Sequence, residues 1–211
     1  MPTFNLEDGL SLPDDALIAG VDEVGRGPLA GPVVASAVVI NRSLCPSSIS
    51  AKIDDSKRLS QKNRNIVLTL IHKISVTGTG FADRNEIDEL NILWASMLAM
   101  ERAIQELQSK LDRPIDAVLV DGNRLPNLKC PGFAIVKGDT KSVSIAAASV
   151  VAKTTRDNFM LQMALLHPEY GWEKNMGYGT RQHLDALKKF GPTELHRQSF
   201  RPVFEALKSS Y

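Results

Sequence analysis

Cysteine is scarce in this chain. Cys45 and Cys130 are the only two in 211 residues, and neither sits in a CxxC pair or at ligand spacing from a histidine. That argues against a zinc finger and against a disulfide framework, and it fits a reducing, cytoplasmic setting. Long apolar runs are also missing: the longest, Ile145 to Ala152, is interrupted by Ser149 and falls far short of the ~20 residues a membrane helix needs. Residues 1–15 carry four acidic groups and no basic stretch, which is not the pattern of a signal peptide. A net charge of +1 argues against a protein that coats nucleic acid by charge alone. The first fifty residues hold six acidic and two basic side chains, however, so the rest of the chain is basic and leaves room for an anion-facing surface.

What is present is the composition of a folded protein, 43% hydrophobic and 23% charged, at a length suited to one domain spanning residues 1–211. Ile18–Val24 and Val33–Ile40 read as strands joined by a Gly/Pro segment. Ser60 is positioned to cap a helix carrying Ile66, Leu70, Ile71 and Ile74. Val76–Phe81 reads as a third strand. A long amphipathic helix over 85–111 follows, with Ile87, Leu90, Trp94, Met97, Leu98, Ala103, Ile104 and Leu107 on its apolar stripe. Trp94 is therefore expected in the core and Trp172 in loop packing. Short strands over Ala117–Val120 and Phe133–Val136 precede a helix over 142–166, and helices over 180–190 and 202–207 complete a helical C-terminal segment, 180–211. Strands first, then strands alternating with helices, predict an α/β domain around a mixed sheet.

Asp22 and Glu23 interrupt an apolar strand, where unpaired carboxylates are costly to bury. Two readings stay open: a strand end reaching solvent, or ligation of a cation. Consecutive strand side chains point to opposite faces, so both reach one ion only if the strand bends near Gly25 or Glu23 contributes its carbonyl. Gly25-Arg26-Gly27-Pro28-Leu29-Ala30-Gly31-Pro32 follows. Its glycines allow close backbone approach to a ligand and Arg26 offers a fork for phosphate. It lacks the G-x-G-x-x-G spacing of a nucleotide fingerprint, and a strand follows where that motif requires a helix. Asp121 ends a strand, and Asp139 lies at the start of a helix as an N-cap candidate. Four acids at element ends are hard oxygen donors that suit magnesium or manganese. Lys57, Lys141 and Lys153 are candidates for phosphate contacts. Asp157 reads as a helical salt-bridge partner and His183 as a support for the C-terminal helix. Ser149 has no base in a recognisable motif, so a serine hydrolase is unsupported.

Taken together these segments resemble the bacterial type 2 ribonucleases H, the ribonuclease HII family. The resemblance rests on Ala19 to Val33, Asp55-Ser56-Lys57 with Leu59-Ser60, Val120-Asp121-Gly122, and Lys137-Gly138-Asp139 with Lys141-Ser142. It continues through Ala146 to Lys153, Gly177-Tyr178-Gly179-Thr180 with His183, and His196-Arg197 with Ser199-Phe200, in family order over about 18–203. It implies a ribonuclease-H-like fold, with a five-stranded mixed sheet flanked by helices. It implies an endonuclease that hydrolyses RNA in RNA–DNA hybrids and cleaves on the 5′ side of ribonucleotides embedded in duplex DNA. Two metal ions, Mn2+ or Mg2+, would serve the hydrolysis and leave 3′-hydroxyl and 5′-phosphate ends. By the matching positions Asp22, Glu23, Asp121 and Asp139 take the catalytic, metal-binding places. Gly25, Arg26 and Gly27 take the loop that reads the 2′-hydroxyl, and Tyr178 the aromatic at the RNA–DNA junction. The expected protein is a monomer that needs no membrane; a sliding-clamp contact is not evident in the sequence, and the longer C-terminal extension of some relatives is lacking. A glycosidase fits less well, because its two carboxylates lie ~5 to 9 Å apart on separate elements whereas Asp22 and Glu23 are adjacent. A metal-free hybrid-binding module would not need four acids facing a phosphate backbone.

Overall fold

The computed structural model describes residues 1–54, 56 and 59–208. Five strands form one mixed sheet: β1 (Ile18–Val24), β2 (Val33–Ile40), β3 (Ser75–Ala82), β4 (Ala117–Asp121) and β5 (Gly132–Ile135), in the order β3-β2-β1-β4-β5. β1, β2 and β3 run as antiparallel neighbours, while β1, β4 and β5 run parallel. The helices are α1 (Asn5–Asp8), α2 (Ser47–Ser50), α3 (Gln61–Ile74), α4 (Arg84–Ser109), α5 (Val143–Leu166), α6 (Trp172–Asn175), α7 (Arg181–Phe190) and α8 (Arg201–Lys208). Among the described residues no helix is long and apolar enough to cross a membrane.

The alternation of β2 explains the layering. Val33, Ala35, Ala37 and Val39 face α4, with Met97, Met100, Ala103 and Leu107, whereas Val38 and Ile40 face α3 and α5. Every residue of β2 is buried, as expected of a strand covered on both faces. α5 approaches closely at Gly20 of β1, where a Cβ would lie 2.1 Å from the Ser144 carbonyl carbon. Only a residue without a side chain lets the helix bear directly on the strand there. The small residues of the first half of α5 are thus matched by a glycine opposite, and α5 is brought against the strand that carries Asp22.

Two expectations about α4 and the tryptophans need correction. The helix begins on a capping box between Asp83 and Glu86, but it is broken at Asn91, whose φ of 65° is non-helical. The Asn91 side chain accepts from the N–H groups of Leu93 and Trp94 and so restarts the helix. The break interrupts the stripe, leaving Leu90 37% and Trp94 55% exposed instead of in the core. Trp172, expected in loop packing, is fully buried on α6 and stacks on Tyr170.

That aromatic cluster holds the C-terminal segment through two buried histidines. Trp172 Nε1 donates to His183 Nε2, and His183 Nε2 lies 3.0 Å from His196 Nε2. His183 Nε2 must therefore be the acceptor, with its Nδ1–H donating to the Tyr178 carbonyl and His196 donating through Nε2. The Thr193 N–H closes the network on His196 Nδ1. Both imidazoles are neutral in this arrangement. Burial, with the neighbouring His183 and His167, pushes His196 from 6.5 down to about 3, and burial lowers His183 also. A histidine depressed in the folded state stabilises the protein above its ordinary pKa, and that stability drains away as pH falls from about 6.5 toward 3. The stability advantage of the wild type over His196→Gln should thus shrink between pH 7 and pH 4, by at most about 1.4 kcal/mol per pH unit for one proton. Urea melts across that range measure it; a pH-independent advantage would contradict the network as drawn.

Candidate active site

The register of the two central parallel strands builds the acidic corner. Val21 of β1 lies opposite Val120 of β4, so the next residues, Asp22 and Asp121, sit side by side where the strands run out toward the same edge. Asp22 is 6% exposed; its Oδ1 accepts the Glu23 N–H at 2.7 Å, and Ser149 of α5 hydrogen-bonds its carboxylate. Ser149 in turn lies 2.8 Å from the Ser56 hydroxyl. Burial, reinforced by the charges of Glu23 and Asp121, holds the Asp22 carboxyl well above the usual carboxylate range. Burial and Asp121 raise Glu23 as well, against the opposing pull of Arg26, whose Nη1 is 3.3 Å from Glu23 Oε1. The second oxygen, Glu23 Oε2, is buried without a hydrogen-bond partner.

β1 keeps regular pairing with β2 through Asp22 opposite Ser36 and Glu23 opposite Ala35, and turns only at Gly25, φ 96°. The bend lies after the two acids and does not bring them to one face. Asp121 nonetheless acts electrostatically on both. Asp121 Oδ1 accepts the Gly138 N–H at 2.6 Å, which ties the short turn Gly138–Thr140, and with it the buried Asp139, to the end of β4. Asp139 does not cap α5. Ser142 does, by accepting from Ile145 N–H.

A hard divalent cation fits this donor set. Glu23 and Asp121 raise the proton affinity of Asp22, Asp121 raises that of Glu23, and a buried carboxylate oxygen lacks a donor. Among the described residues no three acidic, imidazole or thiol groups are already gathered as a finished cage.

The glycine loop and Tyr178, far apart in sequence, come together. A Cβ on Gly27 would lie 3.4 Å from Tyr178 Cε1, and the Tyr178 ring is 46% exposed. The Leu29 N–H donates to the Gly177 carbonyl and the Gly31 N–H to that of Leu195, so chain segments around 177 and 196 enclose the loop. Of the lysines, Lys141 is exposed and Lys57 lies outside the described residues. Lys153 is committed to Asp157 at 2.7 Å, and Asp157 also pairs with Arg64 at 3.1 Å, which removes Lys153 as a phosphate contact. Ser149 and the buried Arg156 and Arg197 are the residues whose roles sequence reasoning missed. Ser149 and Arg197 stood inside the quoted motifs, whereas nothing marked Arg156.

Comparison with known proteins agrees with the geometry. The family model for ribonuclease HII matches residues 19–204. A ribonuclease HII of Paramagnetospirillum magneticum is 52% identical over 203 residues, covering 96% of this chain and 97% of its own. The crystal structure of ribonuclease H2 from Pyrococcus horikoshii superposes with a TM-score of 0.71 at 26% identity, covering 91% of this chain and 97% of its own. Bst-RNase HIII in complex with Mn2+ shares the fold at a TM-score of 0.74 and 18% identity, covering 92% of this chain and 70% of its own. By the family match and the near-complete coverage of its relatives, the chain belongs to the ribonuclease HII family, a family of endoribonucleases that act on RNA–DNA hybrids.

Proposed function

We propose that this chain, as one catalytic domain, cleaves the RNA strand of hybrids and cuts on the 5′ side of a ribonucleotide embedded in duplex DNA, leaving 3′-hydroxyl and 5′-phosphate ends. The observation that carries this reading is the juxtaposition of a buried carboxylate corner, Asp22, Glu23 and Asp121, with a glycine loop whose Gly27 backs onto an exposed tyrosine. Asp22, Glu23 and Asp121, with Asp139 on the adjoining turn, would hold divalent cations, magnesium or manganese. A pair of such ions would supply an activated water and charge stabilisation on the attacked and leaving oxygens.

The chain's own groups supply the selection. A 2′-hydroxyl distinguishes RNA from DNA, and Gly25 and Gly27 keep the loop free of side chains that would hold the sugar away. Tyr178 presents its ring beside the loop, where it can stack on the following deoxyribose, whose missing hydroxyl leaves an apolar face. Arg26 and Lys141 are exposed enough to meet phosphates, which position a duplex without reading its bases. In the free protein Arg26 rests on Glu23, so it blunts the carboxylate repulsion until substrate takes it up.

Asp22→Asn and Asp121→Asn should each nearly abolish cleavage while leaving the fold intact. Asp22→Asn should also raise the unfolding temperature in chelator. A carboxyl raised in the folded state costs stability as pH rises above its ordinary value, so the gain should be larger at pH 8 than at pH 5. Cleavage assays and thermal melts at both pH values check this; retained activity, or a melting gain independent of pH, would overturn the assignment of Asp22.

Tyr178→Ala should slow cleavage at a single embedded ribonucleotide by about tenfold to a hundredfold, the equivalent of roughly 1 to 3 kcal/mol of stacking. A uniform RNA–DNA hybrid should lose much less. An equal, small loss on both substrates would remove Tyr178 from the junction.

A further inference from the structure

Arg156 of α5 and Arg197, just before α8, are fully buried, and every hydrogen bond described for their guanidiniums ends on a backbone carbonyl. Arg156 donates to Pro32 at 3.0 Å, Ala30 at 3.1 Å and Met176 at 2.9 Å. Arg197 donates to Gly25 at 2.6 Å, Arg26 at 3.1 Å, and Gly31 at 3.0 and 2.8 Å. The nearest acids are engaged elsewhere: Asp157 with Arg64 and Lys153, Asp88 with the backbone N–H groups of Gln198 and Ser199. Burial lowers both guanidiniums, Arg156 to about 10 and Arg197 to about 9, so both remain charged at neutral pH.

Two buried cations satisfied only by carbonyls are an expensive way to hold a loop, and a core that needed only volume would use apolar side chains. The carbonyls they hold are not scattered. Arg197 spans the loop from its first residues, Gly25 and Arg26, to Gly31, while Arg156 grips the far side at Ala30 and Pro32 and also the Met176 carbonyl, two residues before Tyr178. A rigid planar fork can fix several acceptors at set angles, which a lysine ammonium cannot. Gly25 is shaped to this arrangement, since a Cβ there would lie 2.2 Å from Arg156 Nε.

We propose that Arg156 and Arg197 are positioning residues for substrate selection: together they fix the backbone of residues 25–32 and its distance from Tyr178, and so set how strictly a lone 2′-hydroxyl is read. The inference rests on the assignment of the loop and Tyr178 to junction reading. Neither arginine touches substrate; both act through the peptide groups they hold. On a uniform hybrid many ribose hydroxyls offer alternative registers, so a loosened loop costs less there than on a single ribonucleotide.

The test is the ratio of kcat/KM on duplex DNA with one ribonucleotide to kcat/KM on a uniform RNA–DNA hybrid, a ratio that does not depend on the fraction of folded enzyme. Arg156→Lys and Arg197→Lys should each lower it by about ten- to a hundredfold, the scale of a contact misplaced by about an ångström. Should a lysine variant not fold, Gly31→Ala probes the same link, because its Cβ would crowd Met160 Sδ at 2.5 Å and displace the carbonyl that Arg197 holds twice. Equal losses on both substrates in these variants, with the ratio lowered in Tyr178→Ala, would overturn the proposal and leave the junction site standing. A ratio unmoved in Tyr178→Ala as well would overturn the junction site and the proposal with it.

Discussion

The parallel pairing of β1 with β4 decides where charge is stored in this protein. With Val21 opposite Val120, the carboxylates of Asp22 and Asp121 cannot avoid each other, and α5 closes over Asp22 from one face. Two features of sequence make that closure possible: Gly20, which lets α5 bear on the strand, and the alanine- and serine-rich first half of the helix, which places Ser149 on Asp22. A site meant only for stability would not concentrate like charges at a buried strand end. Functional sites do, where perturbed carboxylates gather.

The second half of the site is a matter of shape more than of charge. The loop over residues 25–32 has three glycines in eight residues, and its conformation is held from outside by the segments around 177 and 196 and by the two buried arginines. The histidine pair and Trp172 hold those segments in turn, with His183 bonded to the Tyr178 carbonyl itself. Contacts therefore run from the buried aromatic cluster through the half-exposed Tyr178 and the loop to the carboxylates. This C-terminal collar is what a bare five-stranded sheet would lack.

Much of this was legible in the sequence, and for identifiable reasons. β1 and β2 are apolar runs cut off by glycine and proline, and their bounds follow directly; Ser60 and Thr180 cap α3 and α7 as their side chains allow. The four acids stand out by their places at element ends and Tyr178 by motif order, and the structure brings three of the acids into electrostatic contact and the tyrosine against Gly27. What could not be read depends on partners distant in sequence. The break at Asn91 exposes Trp94 although the helical period runs through it, because a side chain that recaps a helix leaves no mark in hydropathy. Arg156 and Arg197 look like surface charges until the carbonyls around them are seen, and Lys153 looks free until Asp157 is seen beside it. Asp139 reads as a helix cap until Ser142 takes that place.

The claim at the centre of this account is that the carboxylate corner hydrolyses a phosphodiester with an activated water at a ribonucleotide picked out by the glycine loop. End-mapping of a duplex DNA that contains one ribonucleotide, in magnesium, in manganese and in chelator, tests it directly. A single cut is expected on the 5′ side of the ribonucleotide, with 3′-hydroxyl and 5′-phosphate ends, in either metal and none in chelator. Cleavage that persists in chelator would mean that no divalent cation is needed, and a 2′,3′-cyclic phosphate end would mean that the ribose hydroxyl itself is the nucleophile; either would contradict it.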